Sequence, residues 1–354
     1  MLERALIDKL QRRCEMSGSL GELEPVAVRL GLIQNTLKPR FREPQLVLFA
    51  ADHGLAVDGI QSPLQRQTFE LVQQLLDGRL PVSVFARLQD LELTVVDCGL
   101  ANRIEPHERL MARKIAHGTR NARVGPAMTM EQAHAAIRAG MEIGDTLRGN
   151  MVACAGMGVG SHEAAALVLA RLTQTSLHDL MISGPHMDPD VLGQVMAVLN
   201  AAHARHREVT DPVEVLASFG GFETAVMVGV MLVAASKRHL IVIDGIAACA
   251  ALMIASQIAS AVTDYSLFCR SQSHRGLDQA FNLFNATALL ELGLDSIDGT
   301  GACVSWPLVR SAAALLTDVA DGEDPGPSVP SGMPGSGSAN ANDGSFSGPA
   351  TTLY

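Results

Sequence analysis

The sequence has no excess of positive charge: 27 Lys and Arg stand against 37 Asp and Glu, a formal net charge of −10 over 354 residues. Nucleic acid and anionic membrane both call for a basic face, so neither is expected as a main partner. The six cysteines (Cys14, Cys98, Cys154, Cys249, Cys269, Cys303) include no CxxC pair, and most sit in apolar runs where a free thiol behaves as a small hydrophobe. They read as reduced and structural. The opening MLERALIDKLQRRCEMSG lacks the continuous apolar stretch and small-residue cleavage site of a secretory signal, and reads as a polar amphipathic helix. The most hydrophobic region, residues 225–261, is interrupted by Lys237, Arg238, His239 and Asp244. It therefore never reaches the roughly 18–20 uncharged apolar residues of a membrane span. A cytoplasmic protein is expected.

Several chemical signatures are missing as well. His162, His186 and His274 have no neighbours at metal-ligand spacing such as HExxH, so no metal is expected. There is no GxSxG elbow, Walker loop or kinase signature, which removes support for a serine hydrolase or a nucleoside triphosphatase. Glycines 156, 158 and 160 are not spaced as G-x-G-x-x-G, and no acid stands convincingly at the end of the next strand, so a nicotinamide-dependent oxidoreductase is disfavoured. Transfer chemistry or binding is left, with no cofactor.

What the chain does have is 47% hydrophobic residues with only 4% aromatics, a composition suited to helices packed closely over a parallel sheet. Six short apolar runs end in Asp, Gly or another loop former: LVLFAADHG, LTVVDCG, MVACAGMG, LMISG, LIVIDG and DYSLF. Segments of helical spacing alternate with them at residues 68–76, 129–145, 163–172, 189–204 and 222–236. The alternation predicts right-handed βαβ units and an α/β, Rossmann-like fold: a mostly parallel six-stranded sheet flanked by helices. Residues 2–15 and about 307–319 form helices outside the alternation. They suggest a small helical subdomain from residues 1–40 and 303–320, beside a large α/β domain at 41–302. Residues 321–354, rich in Gly, Ser and Pro, are too poor in apolar groups to offset the entropy of ordering and predict a disordered tail.

Ligands of open parallel sheets bind outside the carboxyl ends of the strands, and the unusual residues fall there. FAADHGLAVDG ends a strand with Asp52 and His53, an acid and an imidazole able to orient a substrate or move a proton, or to cap a turn. AGMGVGSHE opens a helix, so its amides either cradle a phosphate or make a tight turn. LMISG ends at Gly184, and VIDG puts Asp244 at a strand end. GTRNAR brings Arg120 and Arg123 to a turn. SIDGTGA sets Asp298 beside Gly299 and Gly301, where a ligand can approach the backbone.

In succession, LVLFAADHGLAVDGI, GTRNAR, GMGVG, VLASFGGFETA, LIVIDGIAACAAL and DGTGA resemble the nicotinate-nucleotide:dimethylbenzimidazole phosphoribosyltransferases of cobalamin nucleotide-loop assembly, over about residues 20–318. The resemblance implies transfer of phosphoribose from nicotinate mononucleotide to a benzimidazole-type acceptor base, giving α-ribazole phosphate and nicotinate. It also implies a homodimer without metal. The family's glutamate base before G-[ST]-G matches Asp298, one methylene shorter, with Gly299, Thr300 and Gly301 following. The family's phosphate loop, GEMGIGNTT, matches Met157, Gly158, Gly160 and Ser161, while Gly156 takes the place of the glutamate and His162 that of a threonine. A phosphate lysine of the family falls near Val195. GVSAYPQEVT is matched by GIQSPLQRQT, which retains Gly59, Gln65 and Thr68 and has Gln61 in place of serine; Gln65 is expected near the acceptor base. The late HRSAEPGH segment is reduced to CRSQSHRG, residues 269–276, and carries no role. With Asp52, His53, Gly184 and Asp244, these complete the expected substrate contacts. The changes at Gly156, Val195 and Asp298 also admit a diverged paralogue that binds an aromatic base or nucleotide without transfer.

Overall fold

Strands that are apolar along their whole length need cover on both faces, and here helices supply it. The computed structural model describes residues 1–60, 66–181 and 188–320. Helices α1 (Leu2–Ser17) and α2 (Leu23–Ile33) precede β1 (Gln45–Ala51), followed by a 3-10 turn (Gly54–Asp58), α3 (Thr68–Leu76) and α4 (Pro81–Leu88). Next come β2 (Glu92–Gly99), β3 (Leu110–Ala112), α5 (Met130–Thr146), β4 (Met151–Met157), α6 (Ser161–Thr173), α7 (Leu177–Met181) and α8 (Pro189–Arg205). The chain continues through α9 (Pro212–Phe219), α10 (Phe222–Ser236), β5 (Leu240–Asp244), α11 (Ile246–Ile258), β6 (Ser266–Cys269), α12 (Arg275–Asn282) and α13 (Thr300–Thr317).

All the strands pair in parallel, in the order β3-β2-β1-β4-β5-β6. The chain moves outward from β1 on one side and from β4 on the other, so the strand order reverses between them. At such a reversal the connections diverge to opposite faces and leave a crevice outside the strand ends, the place where open α/β sheets bind ligands. The ends that meet here are residues 51–53 and 157–160.

Alternation along β1 divides the core in two. Val47, Phe49 and Ala51 share one apolar cluster with Leu167 of α6 and Met227 of α10. Leu46, Leu48 and Ala50 share the other with Leu6 of α1, Leu30 of α2, Leu75 of α3 and Trp306 of α13. Arg13 of α1 donates to the Leu315 carbonyl of α13, tying the first helix to the last. No helix among the described residues is long and apolar enough to cross a membrane.

Two expectations need correction. Residues 180–184 are not a strand over their described part, because Leu180 and Met181 end α7. There the buried Leu177, Leu180 and Met181 recur at helical spacing; residues 182–184 lie outside the described residues. The sixth strand is instead β3, three edge residues with no buried side chain and hence no apolar run to reveal them. The last helix begins at Thr300 rather than near residue 307, and carries Pro307 in its interior, where no N–H is available for the carbonyl four residues back. Residues 321–354, the expected tail, lie outside the described residues.

Candidate active site

The crevice is a cleft of about 190 Å³ lined by the turn after β4, residues before and in α3, the start of α11 and the loop before α13. Met157, Gly158, Ser161 and Asp298, all expected at the site, lie on its wall together with His162, Gln272, Thr68 and Arg66.

The turn after β4 is built around glycine. A Cβ on Gly158 would stand 1.8 Å from the Ala51 carbonyl oxygen, so only a bare backbone lets the turn lie against the end of β1. Thr68 Oγ1 accepts the Val159 N–H at 3.0 Å, fixing the turn from α3. Gly160, at φ 87°, leads into α6 without a side-chain cap. The amides of His162 and Glu163 find no acceptor among the described residues. Free N–H groups at the positive end of a 13-residue helix are able to hold an anion, and the exposed Arg66 puts a cation on the same wall.

Behind the turn lies a buried polar cluster. Glu223, 0% exposed, accepts through Oε1 from His53 Nε2 at 3.0 Å and from the Ser161 hydroxyl at 2.8 Å. A carboxylate only accepts, so the His53 hydrogen sits on Nε2. Burial alone lowers the His53 pKa, but the adjacent Glu223 outweighs it and the net shift is upward. Burial raises Glu223, and His53 with Ser161 reverses that to a net lowering. The pair thereby ties the end of β1 to the first turns of α6 and α10.

The acidic end of the cleft has two layers. Asp298, half-buried on the wall, receives the Gln272 amide at 3.2 Å. Asp244 is 0% exposed beneath it, its Oδ2 accepting from the amides of Gly299 (3.0 Å) and Ala302 (2.8 Å) and from the Ser271 hydroxyl (2.8 Å). It thus serves the start of α13, which Gly299 cannot cap itself. Burial pushes Asp298 well above the ordinary carboxylate range, the neighbouring Asp244 pushes it further, and Gln272 pulls back. Burial also raises Asp244, against the pull of the Ala302, Gly299 and Gly301 amides and the Ser271 hydroxyl. Those donors favour charge on Asp244, so Asp298 takes the proton first. Room for Asp298 comes from Gly245, at φ 93°, where a Cβ would stand 1.9 Å from Asp298 Oδ2.

Other expected residues support the site without lining the cleft. Asp52 accepts the Ala101 amide at 2.8 Å, and Asp244 and His53 are bound as described. Thr300 Oγ1 donates to the Ile297 carbonyl at 2.8 Å, and the Gly301 amide donates to Ser271 Oγ at 2.7 Å. Arg123 pairs with Asp58 at 2.6 Å rather than facing the cleft, and Arg120 is exposed. Val195 is 4% exposed in the apolar core, so no cation site is centred on it. Gln65 and Gly184 lie outside the described residues. Glu223 and Gln272 were not singled out by sequence reasoning. The signal for Glu223 was a lone acid in a helix apolar all round, since a buried charge needs a partner. Gln272 lies in CRSQSHRG, the segment matched to HRSAEPGH and given no role.

A sequence profile described as Phosphoribosyltransferase matches residues 1–326. The chain belongs to that family. Two relatives of this phosphoribosyltransferase are named nicotinate-nucleotide–dimethylbenzimidazole phosphoribosyltransferase. The one from Cupriavidus taiwanensis is 39% identical over 323 residues, covering 90% of this chain and 92% of its own. The one from Dechloromonas aromatica is 38% identical, covering 92% and 95%. A crystal structure of the enzyme so named from Thermus thermophilus superposes with a TM-score of 0.82 at 29% identity, covering 89% of this chain and 95% of its own.

Proposed function

We propose that this phosphoribosyltransferase moves the phosphoribosyl group of nicotinate mononucleotide to a ring nitrogen of a benzimidazole-type base, within cobalamin nucleotide-loop assembly. The observation that carries the reading is one cleft with an anion-binding helix start and a carboxylate of raised pKa on its walls. The 5-phosphate rests on the α6 amides, with Arg66 as its cation. The azole nitrogen attacks C1 of ribose as the bond to nicotinate breaks, and the azole proton passes to Asp298. A raised pKa makes that carboxylate a stronger base once ionised. Holding both heterocycles beside C1 supplies the remaining advantage, through proximity.

The reading extends to a cytoplasmic homodimer, in keeping with six unpaired thiols. Sedimentation at micromolar concentration is expected to give about twice the mass of one chain. The activity is tested by incubating the purified protein with nicotinate mononucleotide and a panel of benzimidazoles, purines and phenols. Released nicotinate and an α-ribosyl phosphate product are expected; no turnover with any acceptor would sink the proposal.

A further inference from the structure

Gln272 lines the cleft beside Asp298, and its Nε2 donates to Asp298 Oδ1 at 3.2 Å. Its backbone is pinned on two sides. Arg270 Nε donates to the Gln272 carbonyl at 3.1 Å, and the same guanidinium pairs with Asp278 and Glu291 at 2.8 Å each. Across the loop, Gln272 makes an antiparallel bridge with Asp295, three residues before Asp298. Backbone contacts thus set the spacing of the two side chains before a ligand arrives.

A carboxamide nitrogen carries two hydrogens. Asp298 takes one, and the second has no acceptor among the described residues. The Gln272 Oε1 is also unbonded there, and keeps contact with solvent in a side chain that is otherwise half-buried. The carboxamide end is therefore open, and the space beside it is the cleft. Together the wall presents an acceptor, Asp298 Oδ1, and next to it a donor, the spare Nε2–H. Their complement is a base edge in which an azole N–H is followed, across one carbon, by the lone pair of a second ring nitrogen. Benzimidazole offers only a C–H at that second place, which leaves the donor unmatched.

We infer that Gln272 is a specificity residue whose spare Nε2–H donates to the acceptor base beside its proton-bearing azole nitrogen. The acceptor so favoured is a fused imidazole whose six-membered ring carries a nitrogen next to the fusion carbon. The inference rests on the phosphoribosyl-transfer reading above, with Asp298 receiving the azole proton.

Steady-state rates are measured with nicotinate mononucleotide and benzimidazole, 4-azabenzimidazole or 5-azabenzimidazole. In the 4-aza compound the extra nitrogen adjoins the fusion carbon, and in the 5-aza compound it lies one position further away. The native protein is expected to give 4-azabenzimidazole a kcat/KM about tenfold above that of the 5-aza isomer. It is also expected to ribosylate the 4-aza compound mainly at the azole nitrogen remote from the extra nitrogen. Gln272→Met keeps the length of the side chain and removes both hydrogens. The variant costs every acceptor the support given to Asp298, but the ratio between the two isomers is expected to fall about tenfold and the ribosylated products to become mixed. A merely structural role would move neither the ratio nor the product mixture. Should Gln272→Met melt early, Gln272→Ala carries the same comparison. A folded variant that keeps the native ratio within about twofold and the native product mixture overturns the inference, as does a native protein that turns over benzimidazole but prefers neither isomer. Absence of turnover with every acceptor, benzimidazole included, overturns the transfer reading, and this contact with it, before any variant is compared.

Discussion

Asp298 is held above the ordinary carboxylate range by burial and then by Asp244. As the proposed base it works only when ionised, so kcat/KM is expected to fall as pH drops through that raised value. Removing the Gln272 amide, which favours the charged form, moves the acid limb to higher pH in Gln272→Ala; an unmoved limb would assign it to another group. Asp298→Asn should lose most turnover while nucleotide binding, followed by calorimetry, persists. Glu223 bears on stability instead. The raised His53 contributes stability that is complete below its ordinary 6.5 and lost as pH rises through its folded value. The lowered Glu223 contributes stability that is complete above its ordinary 4.5 and lost as pH falls through its folded value. Glu223→Gln breaks a buried pair and is expected to cost about 3 kcal/mol in denaturant unfolding, with a flatter dependence on pH.

At the scale of elements, the turn from β4 into α6 depends on backbone contact. Gly158→Ala forces a methyl group into the Ala51 carbonyl, so the turn must move off β1. The expected result is a KM for nicotinate mononucleotide raised at least about tenfold, with a Tm several degrees lower. This turn was legible because glycines between a buried strand and an apolar helix are unusual in pattern. Helices α3 and α10 were readable to the residue, since their apolar spacing begins and ends sharply. Strand β3 was not, because three residues at a sheet edge, two half-buried and one exposed, carry no periodic signal. The loop proposed to carry the base was singled out through Asp298 and its glycines. The partners that tune it, Gln272 and Ser271, come from a different stretch of chain that only folding brings near. Asp244 was read correctly as a strand-end acid, but whether such an acid faces ligand or backbone is settled by the neighbouring helix, which sequence spacing does not reveal.

Across the whole molecule, the two apolar clusters enclose the thiols. Five cysteines are buried and Cys14 is half-buried, and none is in a disulfide. Burial pushes Cys154 and Cys303 up to about 12 and raises Cys14 as well. A thiol-reactive aromatic disulfide at neutral pH is therefore expected to label at most Cys14 in the folded chain, and all six cysteines in denaturant. Rapid labelling of more than one would show that the clusters open readily. The same enclosure bears on Asp298 through the bonds beneath it. Asp244 Oδ2 holds the amides of Gly299 and Ala302 from the end of β5, a strand paired on both sides, so exposing either hydrogen to water strips a donor from a buried carboxylate. Those two amides should exchange with solvent deuterium on the timescale of global unfolding. The acid proposed to take the substrate proton then stands one residue from the slowest-exchanging part of the protein, and keeps its aim for as long as the sheet survives.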